Sequence, residues 1–237
     1  MMEHTTRAFD VDLQDLTRMV AEMGGMAEKQ IGDSVDALVK RDLALAQRVI
    51  SLDPKIDALQ REIEDKSVLT IARRQPMAVD LRDIVAALRI SNDLERIGDL
   101  AKNIGKRVAA IDGEFYPQKI VRGVEHMADL VLTQIKEVLD SYSRRDANQA
   151  VAVWRGDEEI DAVNNSLFRE LLTYMMEDPR NITFCAHLLF CSKNIERIGD
   201  HATNIAETVF YMIEGQQIMD KRPKGDMTTF ATTVPGN

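Results

Sequence analysis

The stretch Glu95-Arg96-Ile97-Gly98-Asp99 recurs unaltered as Glu196-Arg197-Ile198-Gly199-Asp200. Around it, LRISNDLERIGDLAKNIGKRV (88–108) matches LFCSKNIERIGDHATNIAETV (189–209) at 11 of 21 positions without a gap. Within the first copy, Ile90, Leu94, Ile97, Ala101, Ile104 and Val108 recur at three- and four-residue steps, or multiples of them, the pattern of one apolar helix face. A helix that occurs twice implies that the elements around it occur twice as well.

The flanking sequence bears this out. Residues 10–40 read as a long amphipathic helix interrupted by Gly24-Gly25, where a neighbouring helix can approach closely. Asp42 is placed to N-cap a second helical stretch. Asp53-Pro54 either kinks that stretch or starts a new one, with Pro at the first helical position. Helix continues to Arg74 and ends at Gln75-Pro76, because the residue before proline is pushed out of the helical region. A third helix runs from about Val79 to Ala110, and AIDGEFYPQ (110–118) has the Gly and Pro of a linker. The series then starts over: helix over 117–143, helix over 146–177 ended by Asp178-Pro179, and helix from about Asn181 to Glu214. The expected fold is all-α, a tandem repeat of two antiparallel three-helix bundles. One repeat covers 1–112, the other 113–215, and 216–237 is expected to be a flexible tail without periodicity.

Composition agrees with helix. Aromatic residues are only 5% of the 237-residue chain while Met reaches 12, and strands favour the aromatic and β-branched types. A net charge of −9 leaves no basic excess to displace counterions from phosphates, so nucleic acid is not an expected partner. The N-terminal MMEHTTRAFDVD has no basic segment followed by an apolar run, so no signal peptide is expected. The longest apolar stretch, near FCAHLLFC (184–191), is far short of the ~20 residues that span a bilayer. Any membrane contact is expected through a partner. Cys185 and Cys191, about 240° apart around one helix, read as buried small hydrophobes in a reducing cytoplasm.

The acidic residues carry the functional signal. At about 100° per residue, Glu95, Asp99 and Asn103 cluster on the side of the helix away from the apolar line. A solvated helix face should drift between copies faster than the core. Here Ile90 has become Cys191 and Leu94 has become Ile195, while the carboxylates are unchanged. The preceding helix of each half adds a second acidic pair, Asp53 with Asp57 and Asp157 with Asp161. In an antiparallel hairpin, residues equidistant from the bend lie at equal height. Asp57 with Glu95, and Asp53 with Asp99, are each symmetric about Pro76; Asp161 with Glu196, and Asp157 with Asp200, are symmetric about the Asp178–Pro179 bond. Each quartet therefore lies level across its hairpin, with its nearer pair about 28 Å from the bend. Rotation about the helix axes is not set by this arithmetic.

Carboxylates gathered at one height need positive charge. An internal salt-bridge network, with Arg96 and Arg197 as cations, would provide it. The preferred reading is a metal site: all-oxygen ligation suits hard ions such as Mg²⁺, Ca²⁺, Mn²⁺ or Fe³⁺, and bridging carboxylates can hold more than one. His201 follows the second motif, but Leu100 fills the matching place in the first, so His201 is not counted as a shared ligand; His4, His126 and His187 are unremarkable. Asn103 and Asn204 either orient the site or are exposed polar residues. Gly98 and Gly199 either permit close helix contact or leave room for an ion.

These motifs, together with VAEMGGMAEKQIGDSVDALVKRDLALAQRVI (20–50), resemble the PhoU family of phosphate transport system regulatory proteins over almost the entire chain. The resemblance implies a cytoplasmic, non-enzymatic protein of two three-helix repeats. It implies a negative regulator of phosphate-starvation signalling, standing between the ATPase subunit of the phosphate-specific ABC transporter and a membrane sensor histidine kinase, and acting as a homodimer. It also implies metal binding, often as multinuclear clusters, at Asp53, Asp57, Glu95, Asp99, Asp157, Asp161, Glu196 and Asp200. Leu100 departs from the family, which often has His there, so the two sites are expected to differ in ion affinity. An accessory protein of a different inorganic phosphate permease is the nearest alternative. A carboxylate-bridged di-metal oxidase is disfavoured, because no Glu in the chain has a His three residues later.

Overall fold

The computed structural model describes residues 2–111 and 118–219. Six long helices account for nearly all of them: α1 (Met2–Lys40), α2 (Leu43–Arg74), α3 (Ala78–Ala110), α4 (Gln118–Arg144), α5 (Ala147–Glu177) and α6 (Ile182–Glu214). The expected linker falls on 112–117 and most of the expected tail on 220–237, both outside the described residues.

The helix ends follow from their sequences. Asp42 and Asp146 cap α2 and α5, accepting from the backbone N–H groups of Leu45 and of Asn148 and Gln149. The residue before each cap, Arg41 or Arg145, takes the left-handed conformation at φ 55° or 54°, so the α1–α2 and α4–α5 turns are built alike. Gln75, also left-handed, closes α2. Pro54 lies inside a continuous α2, which settles the alternative at Asp53-Pro54 in favour of one helix. Asp178 ends α5 and a short 3₁₀ turn, Pro179–Asn181, leads into α6.

Helices α1, α2 and α3 form one antiparallel bundle and α4, α5 and α6 a second. The bundles meet along two helix pairs, α3 with α6 and α1 with α4. Both pairs are antiparallel. Arg82 reaches Met212 at one end of the α3–α6 seam and Arg107 covers Phe190 toward the other; across α1–α4, Gly24 lies against Leu139.

One apolar core runs through both bundles, with Met23, Ile31, Ile56, Ile97 and Ile104 in the first and Ile135, Leu171, Ile195, Ile198 and Val209 in the second. Cys185 and Cys191 are buried within it as free thiols, and burial pushes the Cys191 thiol up to about 12. Because α3 and α6 each touch three other helices, less of their circumference faces water than an isolated amphipathic helix would show. Helices α2 and α5, by contrast, touch only members of their own bundle among the described residues.

Candidate functional site

The carboxylates do not face bulk solvent. Asp53 is 6% exposed, Asp157 3%, Asp161 5% and Glu196 5%, while Asp57, Glu95, Asp99 and Asp200 are half-buried. Helices α2 and α5 cover the acidic faces of α3 and α6, so these lie within each hairpin. The level pairing across each hairpin is as the spacing predicts. In the first hairpin the Lys102 ammonium donates to Asp53 Oδ2 at 2.6 Å and also to Asp99, joining α2 to α3 at that height. In the second, Thr203 Oγ1 on α6 lies 3.2 Å from Asp157 Oδ1 on α5 and 3.0 Å from the Gly199 carbonyl.

Lys102 is the inner cation that sequence reasoning missed. Arg96, the expected counter-charge, stays 55% exposed and flanks Glu95 and Asp99 from outside at 3.4 and 3.6 Å. Arg197 is exposed. The signal for Lys102 was its spacing, three residues beyond Asp99, where helical side chains meet. Burial opposes the charge on Lys102, and hydrogen bonds to Asp53 and Asp99 outweigh it, so the ammonium is held protonated. Glu95 moves the other way: burial, with the neighbouring Asp99, Asp57 and Asp53 charges, raises its carboxyl above the usual range despite Arg96. Those neighbours are the rest of its predicted quartet.

The glycines are explained by close helix contact. A Cβ on Gly98 would lie 3.1 Å from Ile56 Cδ1 and 3.2 Å from Gln30 Oε1; one on Gly199 would lie 3.2 Å from Ile160 Cδ1 and 3.3 Å from Gln134 Oε1. Gln30 and Gln134 are buried, occupy matching places on α1 and α4, and donate through Nε2 to the Val49 and Val153 carbonyls at 3.1 and 3.3 Å. No hydrogen-bond donor reaches either Oε1. Each lies instead beside its motif glycine, where an added side chain would crowd it, an arrangement repeated in both halves. Sequence reasoning overlooked these glutamines, although they are 104 residues apart, the same offset as Asp53 and Asp157.

Asn103 and Asn204 turn toward clefts on the α3–α6 seam. Asn204 Nδ2 comes within 3.5 Å of Asp93 Oδ1, which also meets His201 Nδ1 at 2.8 Å. His201 therefore pairs across the bundles with a residue outside both quartets. The pseudo-symmetric positions are Leu100 and Asn194, so this link exists once.

Two segments, residues 20–108 and 124–209, match the family model for the PhoU domain. The chain belongs to the PhoU domain family. The matched segments fall one in each bundle, α1–α3 and α4–α6. A phosphate-specific transport system accessory protein PhoU homolog of Rhizobium meliloti is 60% identical over 231 residues, covering 98% of each chain. A protein of the same description from Caulobacter vibrioides is 51% identical, covering 96% of this chain and 99% of its own. The crystal structure of PhoU from Pseudomonas aeruginosa matches with a TM-score of 0.82 at 40% identity, over 88% of this chain and 100% of that one. That of the phosphate transport system regulatory protein PhoU from Streptococcus pneumoniae gives 0.82 at 25% identity, over 89% and 99%.

The two PhoU repeats differ in their fit to a hard cation. In the first, the Lys102 ammonium already stands between Asp53 and Asp99. In the second, residue 203 is threonine, the donor set is all oxygen, and three of its four carboxylates are buried; Lys193 reaches Glu196 Oε1 at 2.9 Å from the exposed side. Among the described residues no group of three or more His, Cys, Asp or Glu is assembled as around an ion. The second set fits a hard cation by donor chemistry, and the first is served by its own lysine. No helix among the described residues is long and apolar enough to cross a membrane.

Proposed function

We propose that this chain is a non-catalytic accessory regulator of a phosphate transport system and a negative regulator of the phosphate-starvation response. It acts in the cytoplasm as a homodimer, between the ATPase subunit of the phosphate ABC transporter and the sensor histidine kinase, and reaches the membrane only through them. The observation that carries this reading is near-full-length similarity to relatives named as accessory proteins of the phosphate-specific transport system.

Metal binding is the second part of the proposal. Buried Asp157, Asp161 and Glu196, with Asp200, support it in the second repeat; Asp53, Asp57, Glu95 and Asp99 would take an ion only by displacing Lys102. A bound Mg²⁺, Mn²⁺, Ca²⁺ or Fe³⁺ would supply positive charge to offset the carboxylates and tie α5 to α6. Thr203, from α6, holds the Asp157 carboxylate in place across the hairpin, and Gly199 with Ile160 sets how closely the two helices approach.

Capture with the purified chain on membranes tests the regulatory part: the transporter ATPase and the histidine kinase are expected, and recovery of an inorganic phosphate permease instead would overturn it. Elemental analysis and melting with added Mg²⁺, Mn²⁺ or Fe³⁺ test the metal part separately. An ion at 100 times its dissociation constant stabilises by about 2.7 kcal/mol. Absence of both bound ion and melting shift would sink the metal site and leave the regulatory role standing.

A further inference from the structure

The α3–α6 seam carries two clefts related by the repeat, and their linings differ in charge. One, of about 330 Å³, is lined by Asn103, Lys106, Arg107, Ala110, Phe190 and Asn194. Its counterpart, of about 410 Å³, has Asn204, Glu207 and Thr208 at the places of Asn103, Lys106 and Arg107. There the Glu207 carboxylate accepts from Trp154 Nε1 at 2.9 Å, and Arg89 is the balancing cation. In the smaller cleft lysine stands for glutamate, arginine for threonine, and Asn194 where the first repeat has Asp93, while Phe190 takes the place of Arg89. Among the described residues its lining carries two cations and no carboxylate, on a chain of net charge −9.

The cations are also positioned. The Arg107 guanidinium lies over the Phe190 ring, 4.2 Å from its centroid, and Phe190 is 53% exposed. With one face of the guanidinium on the ring, its N–H groups point outward around the plane, the geometry that meets oxyanions. Among the described residues no carboxylate lies within ion-pair distance of Lys106 or Arg107. The two asparagines offer both amide donors and carbonyl acceptors.

We infer that this cleft binds inorganic phosphate as its monohydrogen dianion, a doubly charged tetrahedral oxyanion that carries a proton. Two cations match two charges. A carboxamide carbonyl can accept from the hydroxyl of monohydrogen phosphate, which sulfate lacks, so the lining discriminates between the two ions. The site is separate from the acidic quartets and needs no metal.

Calorimetric titration of the full chain with inorganic phosphate, in chloride buffer with a chelator and no added metal, tests this. Saturable binding at one site per chain with a dissociation constant below about 1 mM is expected. Lys106→Gln and Arg107→Gln should each weaken it about 10-fold, the effect of one charge-assisted hydrogen bond. Arg89→Gln, in the related cleft, should leave it unchanged. Sulfate should bind about 10-fold more weakly than phosphate. Phosphoserine, whose dianionic phosphoryl group carries no proton, should also bind more weakly than phosphate, and tighter binding of phosphoserine would overturn the assignment. Lys106 is exposed, so its variant keeps the test valid if Arg107→Gln loses its helical circular dichroism. No heat up to about 10 mM phosphate, indifference to Lys106→Gln, or equal weakening by Arg89→Gln would each overturn the assignment.

Discussion

The first hairpin holds its acidic side chains around the ammonium of Lys102, and the second holds its own beside the hydroxyl of Thr203. The backbone frame beneath them is the same: glycine against isoleucine, glutamine against a valine carbonyl. One position, 102 or 203, decides whether an ammonium or a hydroxyl meets the buried aspartate of the preceding helix, while Lys193 reaches Glu196 from the exposed side of the second hairpin. Duplication has preserved the frame and let the counter-charge diverge.

The shared frame is tested by the largest effects. Ile56→Ala and Ile160→Ala should each cost about 2–5 kcal/mol in denaturant unfolding, and by similar amounts, because each removes the side chain packed on its motif glycine. A large cost in one repeat only would break the equivalence of the two frames.

Exchanging the charge comes next. Lys102→Thr leaves Asp53 buried without its ammonium and should destabilise by about 1–3 kcal/mol without metal, less than the ~3–5 kcal/mol of a fully buried pair because Lys102 and Asp99 are partly exposed. Added Mn²⁺ or Mg²⁺ should recover part of that loss. The reverse change, Thr203→Lys, should abolish the cation-induced melting shift of the second repeat. If Thr203→Lys leaves metal binding intact, the built-in charge is not what separates the hairpins.

A smaller effect concerns pH. The Glu95 carboxyl is raised above its unfolded value, so the folded chain binds the proton more tightly and loses stability as pH rises through the Glu95 range. Glu95→Gln should therefore be the more stable protein at neutral pH, by less than about 1 kcal/mol at this half-exposed site. That advantage should vanish as pH falls below the ordinary glutamate value. Urea midpoints at pH 4 and pH 7 measure it, and an advantage that grows toward acid would contradict the sign.

The smallest effect concerns the α4–α5 turn. Arg145 takes the left-handed conformation, where glycine is favoured, and also reaches across the bundles to Asp83, at 3.0 Å. Arg145→Gly should gain nothing because it gives up that ion pair, whereas the same change made on an Asp83→Asn background, where the pair is already lost, should stabilise by about 0.5 kcal/mol. Melting temperatures of the two variants check it.

Much of this arrangement was legible before any coordinates. Helix ends at Gln75-Pro76 and Asp178-Pro179, the cap at Asp42, and the level pairing of Asp53 with Asp99 and Asp157 with Asp200 all follow from local chemistry and a rise per residue that two helices share. Other features were not legible, for a common reason. Rotation about a helix axis is set by what packs on every side. The spacing therefore left open which way the acidic faces turned until α2 and α5 were seen to cover them, and it gave Lys102 no role. Gln30 and Gln134 carried a readable signal in their offset, but their role lies in contacts with other helices.

By itself the sequence determined six helices, their order, their duplication and the heights of their acidic residues, because these depend on spacing along one chain. Tertiary structure decided the burial of the carboxylates, the close helix approach at Gly98 and Gly199, the inward turn of Lys102 and the pairing of residues that makes one seam cleft cationic and the other balanced. Those depend on which faces of separate helices meet, and that is settled only when the apolar surfaces of all six are buried together.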